Sequence, residues 1–181
     1  MPQRPSDMLS ASPTAPSDTV IMIDTDQLES ALRAHLEHDD DLDDRLQRSI
    51  EEVARAFGAR TCTLHSADDS SVLLHLRAHL GLPPHIAEIT RTIPVGKGMA
   101  GLCAERKEPV TVCNLQTDDS GVARPNAKDT HVSGALVVPV LDGDRILATL
   151  GVGMADDHDY VAEEVHALEL CGRLMADALS S

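Results

Sequence analysis

Residues 92–115 read "TIPVGKGMAGLCAERKEPVTVCNL", and the six at its centre, Gly96-Lys97-Gly98-Met99-Ala100-Gly101, set three glycines in the G-x-G-x-x-G register that can hold a pyrophosphate against a helix start. The neighbouring residues nominally complete that motif. "TRTIPV" supplies a strand before the turn, "MAGLCAERK" a helix after it, "VTVCNL" a second strand, and Asp118 an acidic residue roughly 20 positions on. The rest of the chain defeats it. A doubly wound sheet needs further helical crossovers, whereas "GALVVPVLDGDRILATLGVGM", residues 134–154, is two β-type runs joined by a tight turn at Asp142-Gly143, an antiparallel hairpin. Another hairpin precedes the motif, where doubly wound folds usually begin with it.

Outward from this segment the apolar period alternates between helix and strand. Towards the N-terminus, Asp26 stands three residues before Glu29 in a capping-box-like start, and Leu28, Leu32 and Leu36 recur at helical spacing until the acidic cluster Asp39 to Asp41. A second stripe, Leu42, Leu46, Ile50, Val53 and Phe57, stops at Gly58. From Ala59 the period becomes two: "ARTCTLHS" and "SSVLLHLRAHLG" flank the turn-like "ADDS" as a β-hairpin, and "PPHIAEI" reads as a short helical turn. After "VTVCNL" comes a polar stretch of 17 residues, Gln116 to Val132, "QTDDSGVARPNAKDTHV". Such long irregular connections tend to be lids or binding loops. The chain closes on an amphipathic helix bearing Val161, Val165, Leu168, Gly172, Met175 and Leu179.

Composition bounds the function. A chain of 181 residues is expected to build one domain. Residues 1–19, with four prolines among Ser, Thr and Asp and no periodicity, are expected to form a disordered arm, followed by a helical segment over residues 20–41 and the domain proper over residues 42–181. Fifteen Lys plus Arg against thirty Asp plus Glu give a net charge of -15, which repels phosphate backbones and anionic membrane surfaces. One Phe, one Tyr and no Trp leave no platform for stacking bases. Nucleic acid is thus not expected as a partner, nor is a membrane, since no apolar run approaches the roughly 18 residues a span needs. With no basic-apolar leader of signal-peptide type, the expected location is the cytoplasm. The four cysteines, Cys62, Cys103, Cys113 and Cys171, form no C-x-x-C pair and read as reduced, mostly buried thiols.

The order helix, hairpin, strand, short helix, strand, long loop, hairpin, helix resembles the GAF domain family of small-molecule sensors over about Leu42 to Leu179. The resemblance is carried by "TIPVGKGMAGLCAERKEPVTVCNL" and by "SGALVVPVLDGDRILATLGVGM". It implies an α+β fold, with a central antiparallel sheet of about five to six strands, flanking helices on one face and a ligand pocket on the other. In that setting Gly96 and Gly98 let the backbone turn sharply, and Gly101 lets the short helix pack close to the sheet. The implied pocket is walled by the short helix and the long loop, drawing on Met99, Leu102, Cys103 and Cys113. From the loop, Arg124 and His131 would meet the charge of a small polar or anionic metabolite, Asn126 and Ser133 its hydrogen-bonding groups, and Asp129 would stand beside them; Cys113 would line the floor.

Other branches of the family can be screened by residue. The free methionine-(R)-sulfoxide reductase branch relays electrons through three cysteines, and the matching positions here are Thr90, Met99 and about Arg124, none of them a thiol. A different redox pair would have to use Cys103 and Cys113. The cyclic-nucleotide signature is missing, since Asn126, Lys128 and Asp129 stand out of its register and its Phe is absent. If "ADDS" is a simple turn, Cys62, His75, Arg77 and His79 share one face of the first hairpin, where a Cys with two His can bind zinc or iron; a slip of one residue separates Cys62 from His75. His65 is an outsider in that register.

The expectation is a non-enzymatic cytoplasmic sensor that holds a small metabolite of unknown identity and acts in trans on a protein partner, since no kinase, DNA-binding or cyclase segment shares the chain. The helices flanking the sheet are expected to join two copies as a homodimer. The alternatives are an interaction module with a vestigial pocket and a small thiol redox enzyme.

Overall fold

The structure, a computed structural model, describes residues 22–122 and 129–180. The arm expected over residues 1–19 lies outside the described residues, as do Arg124, Asn126 and Lys128. The first helix, α1 (Thr25–Leu36), starts two residues earlier than the Asp26 signal implies. Asp24 is its cap, accepting a hydrogen bond from the amide of Gln27 at 3.0 Å, which leaves Asp26 in the first turn and Glu29 paired with Arg33 at 2.7 Å. The helix ends at Leu36, with Glu37 as its C-cap, just before the acidic cluster. Asp41 caps α2 (Leu42–Phe57) through the amide of Asp43 at 3.1 Å, and Arg45 donates to the Leu36 carbonyl at 2.7 Å, satisfying the C-terminal end of α1. The α2 stripe is fully buried at Leu46, Ile50, Val53 and Phe57, and Gly58 stops it in the left-handed conformation.

Six strands follow, with two short helices interleaved: β1 (Thr61–Ala67), β2 (Leu73–Leu80), α3 (Pro84–Ile89), β3 (Thr92–Pro94), α4 (Gly98–Arg106), β4 (Val110–Val112), β5 (Ala135–Asp142) and β6 (Arg145–Gly153), before the closing helix α5 (Ala162–Leu179). They form one antiparallel sheet in the order β3-β2-β1-β6-β5-β4. The α+β reading holds. The β5–β6 turn falls on Gly143-Asp144, because Asp142 and Arg145 still pair across the hairpin. At the start of α5, the buried Glu164 carboxylate accepts from the Val161 amide at 3.0 Å and from His158 Nε2 at 2.9 Å.

The two faces of the sheet are covered unequally. Against one lie α1, α2 and α5, whose leucines, Phe57 and Met175 close a continuous core with Cys62, Leu64, Val138, Leu150 and Val152 of the strands. Among the described residues the other is covered by α3, α4 and the ends of the chain between β4 and β5, packed through small separate clusters such as Leu74, Ile93, Ala104 and Ile146. Alternation along β1 sorts its residues: Cys62 and Leu64 join the helical core, so Thr61, Thr63 and His65 point the other way.

The glycine segment sets where α4 sits. Gly96 and Gly98 take positive φ angles of 83° and 64°, which turn the chain out of β3 into the helix. A Cβ at Gly101 would stand 2.4 Å from the Pro94 carbonyl oxygen and 3.2 Å from the Gly96 nitrogen, both of them backbone. Replacing Gly101 by Ala therefore forces helix and strand apart, with an expected loss of about 2–3 kcal/mol by the cost of overpacking. Thermal denaturation should show it as a fall in midpoint on the order of 5–10 °C; an unchanged midpoint would mean that α4 adapts freely.

Candidate functional site

On the less covered face, a cavity of about 170 Å³ opens between β1, α3 and the start of α4. An engineered cavity of roughly 150 Å³ holds a benzene molecule, so this space suits one small ring or a branched chain. Thr63 and His65 of β1 and Val137 of β5 contribute from the sheet, Ile86 and Ile89 from α3, and Ile93 from β3. The α4 start gives Lys97, Gly98, Met99 and Ala100, while Thr130 is the wall from the chain between β4 and β5. The lining is chiefly aliphatic, and the described walls include no Asp, Glu, Phe, Tyr or Trp.

Among the polar walls of this cavity His65 is the buried one. It is 4% exposed, and its Nε2 donates to the Thr90 carbonyl at 3.1 Å, just past the end of α3. That bond fixes the tautomer: Nδ1 is the bare acceptor, and it is buried with no hydrogen-bond partner among the described residues. Burial opposes the charged ring and pushes its pKa down from 6.5 to about 4, a lowering to which nearby His79 adds and which the Thr90 carbonyl partly offsets. At neutral pH His65 is an uncharged acceptor.

The helix start opposite is bare as well. Lys97 occupies the cap position of α4 in an extended conformation and makes no side-chain capping bond. The first-turn amides of Gly98, Met99 and Ala100 therefore have no side-chain acceptor among the described residues, and these three residues are walls of the cavity.

The residues expected to form the site are dispersed by the topology. Met99 lines the cavity. Cys103, one turn further along α4, is fully buried against Val110 and Val137, its Sγ 3.7 Å from the Val137 carbonyl oxygen, and does not reach the lining. Cys113 is exposed beyond the end of β4, beside Asp159, whose side chain raises its pKa. It is not among the walls, because it stands just past the end of β4, the edge strand, on the exposed side of the chain. Asp129 and His131 are exposed, and Ser133 is a backbone staple: its amide donates to Met154 and its carbonyl accepts from Leu115, each at 2.8 Å. None of the three is among the walls. Arg124 and Asn126 lie outside the described residues.

The metal constellation is not assembled. The β1–β2 pairing shifts between Leu64 and His65, leaving Arg77 as the extra residue of a bulge, so no single simple register runs along the hairpin. Cys62 faces the helical core opposite Leu80, His79 pairs with Thr63 on the other face, and His75 is exposed. Among the described residues no group of three or more His, Cys, Asp or Glu can hold a metal ion.

The GAF domain profile matches residues 39–180. The chain belongs to the GAF domain family. Among solved structures it is similar to the GAF domain of an Acinetobacter phosphoenolpyruvate-protein phosphotransferase, at 18% identity and a TM-score of 0.73, over 86% of this chain and 92% of that one. The corresponding domain from Coxiella burnetii gives 20% identity and a TM-score of 0.75 over the same shares. The free methionine-R-sulfoxide reductase of Neisseria meningitidis, in complex with its substrate, gives 15% and 0.73, over 86% of this chain and 88% of that one. These likenesses establish the fold, which GAF domains of larger proteins and a reductase share. No curated protein matches the sequence.

Sequence reasoning passed over His65, yet "TCTLHS" carried a signal. With Cys62 and Leu64 turned to the core, a strand's Thr61, Thr63 and His65 form a polar row on the face the family uses for its pocket. Because the unfolded chain binds a proton at His65 near pH 6.5 and the folded chain only near pH 4, its neutral form favours folding above that window, and the advantage is lost as pH falls through it. The expected loss between pH 7 and pH 4.5 is about 2–3 kcal/mol. Urea denaturation of the protein and of His65→Gln at the two pH values isolates it, since the variant lacks this component of the acid sensitivity.

Proposed function

We propose that this GAF domain is a cytoplasmic sensor that holds a small molecule between β1, α3 and α4 and passes its occupancy to a protein partner. The observation that carries the reading is the cavity itself, a small apolar space with the buried His65 in its wall and an uncapped helix start at its edge. Closure of α3 and α4 around a ligand would favour one arrangement of their outer surfaces, and a partner that reads that arrangement receives the signal. The net charge of -15, and the lack among the described residues of a helix long and apolar enough to cross a membrane, support the location.

A binding role is favoured over a thiol enzyme by the fate of the cysteines. Thr90 and Met99, at two positions the resemblance assigns to the reductase relay, are walls of the cavity and carry no thiol. Burial pushes the Cys103 and Cys171 thiols up to about 12 and Cys62 higher still, so none of these is a thiolate near neutrality. For the homodimer, the surface on offer is the shallow groove between the N-terminal ends of α1 and α5, bordered by Thr25, His166, Leu170 and Arg173.

Native mass spectrometry of gently purified protein reads both the bound mass and the oligomeric state. The expected result is a retained small molecule that is lost when Met99→Trp fills the cavity. Alternatively, a ligand added at about a hundredfold above its dissociation constant should raise the midpoint of the wild type, and not of the filled variant, by an amount worth about 2.7 kcal/mol. If no compound of a metabolite library distinguishes the two proteins, the sensor reading is wrong.

A further inference from the structure

Within the reading of this cavity as a ligand site, on which the inference rests, its walls specify the chemistry of the occupant. Charge is the first criterion. No described wall is Asp or Glu, so a cation placed there has no counter-ion in the lining. An anion fares little better. At the start of α4 the Glu105 carboxylate already lies against Gly96, its Oε1 2.9 Å from where a Cβ on that glycine would stand. Lys97, the cationic wall, is exposed, and an ion pair made in water contributes little.

The polar walls have partners of their own. His65 Nε2 donates to the Thr90 carbonyl at 3.1 Å, and the Thr90 hydroxyl donates to the Ile86 carbonyl at 2.8 Å, so both donors are spent inside the protein. Thr130 Oγ1 accepts from the Val132 amide at 3.3 Å. Thr63 adds a hydroxyl beside a methyl group and can meet one neutral polar atom. Hydrogen bonding from the described walls is therefore sparse, and a strongly hydrated molecule would lose more bonds to water than it regains.

The apolar surface, by contrast, is left open. Leu82, Ile86, Ile89, Ile93, Met99 and Val137 are walls, and Ile89 is 44% exposed, one of three exposed large apolar side chains among the described residues. An apolar body seated against α3 removes such surface from water. The space of about 170 Å³ suits one ring or one branched chain, since roughly 150 Å³ holds benzene. We infer that the site takes one uncharged, largely apolar molecule of about six to eight non-hydrogen atoms with at most one neutral polar group: its body packs against Ile86, Ile93 and Val137, and its hydroxyl or carbonyl, where it has one, meets Thr63.

The test is an NMR titration of the full chain, labelled at its isoleucine and valine methyls, with two sets of ligands matched in shape. One set is toluene, benzoate and benzylammonium; the other is 3-methylbutan-1-ol, 3-methylbutanoate and 3-methylbutylammonium. At least one neutral member should move the Ile86 and Ile93 methyls and leave that of Ile50, in the helical core, in place. It should bind about tenfold or more tightly than both of its charged counterparts. Met99→Trp should abolish these shifts. Should that variant fail to fold, nuclear Overhauser contacts from the neutral ligand to the wild-type Ile86, Ile93 and Val137 methyls locate it instead. Equal or tighter binding of a carboxylate or an ammonium, or methyls that respond only to charged members of a metabolite library, overturns the inference while the sensor reading stands. If no compound, neutral or charged, distinguishes wild type from the Met99→Trp protein, both fall.

Discussion

The first turn of α4 lies against the end of β3 because Gly101 has no side chain, and the Pro94 carbonyl oxygen occupies the space a methyl group would need. The cavity side of the molecule depends on that approach. It fixes the direction in which the helix start points, brings Lys97 and Met99 over the sheet, and presses Cys103 onto Val137. It also leaves a gap between α4 and α3, whose far wall is anchored when His65 donates to the carbonyl of Thr90. One contact of a glycine and one hydrogen bond of a histidine thus frame the two sides of the candidate site.

The sheet divides its work between its faces. Three helices of 12, 16 and 18 residues close one face with long aliphatic side chains and the single phenylalanine, so most of the apolar burial is on that side. The opposite face is covered by helices of only six and nine residues and by irregular chain, and its apolar residues fall into separate small clusters. Regions with fewer buried contacts open at lower free energy, which is where a binding element has to lie. The scarcity of aromatic residues reappears at the site as a lining of isoleucine, valine and methionine. Such a lining selects by size and shape, leaving specificity to the few polar groups.

The loop from Gln116 to Val132 shows the limit of reading chemistry from residue types. Its donors and charges make a plausible binding set on paper, but of its described residues only Thr130 reaches the cavity. Asn114, Gln116 and Ser133 instead tie the loop's ends to the sheet and to each other through amide and carbonyl bonds. Cys113 was a candidate because the resemblance implied a pocket floor there, and in space it stands exposed past the end of the edge strand β4, which pairs with β5.

What the sequence determined by itself was the fold. Periods of 3.6 and 2 mark each element, and the spacing of Gly96, Gly98 and Gly101 states where the chain must turn and where a helix must touch a strand, because these are local steric demands written in single residues. The helical period assigned Leu46, Ile50 and Phe57 to one apolar stripe, which is buried in the core. Only the tertiary structure decided the site. His75 pairs with Ser66, four residues along the strand from Cys62, and a bulge that inserts Arg77 turns His79 to the opposite face; no residue type in the hairpin announces either. His65 became the buried polar group of the wall through its place on β1, through the lack of a partner for Nδ1 among the described residues, and through its contact with Thr90, 25 residues away. Those are properties of what surrounds a side chain, and surroundings exist only once the strands are paired and the helices are laid over them.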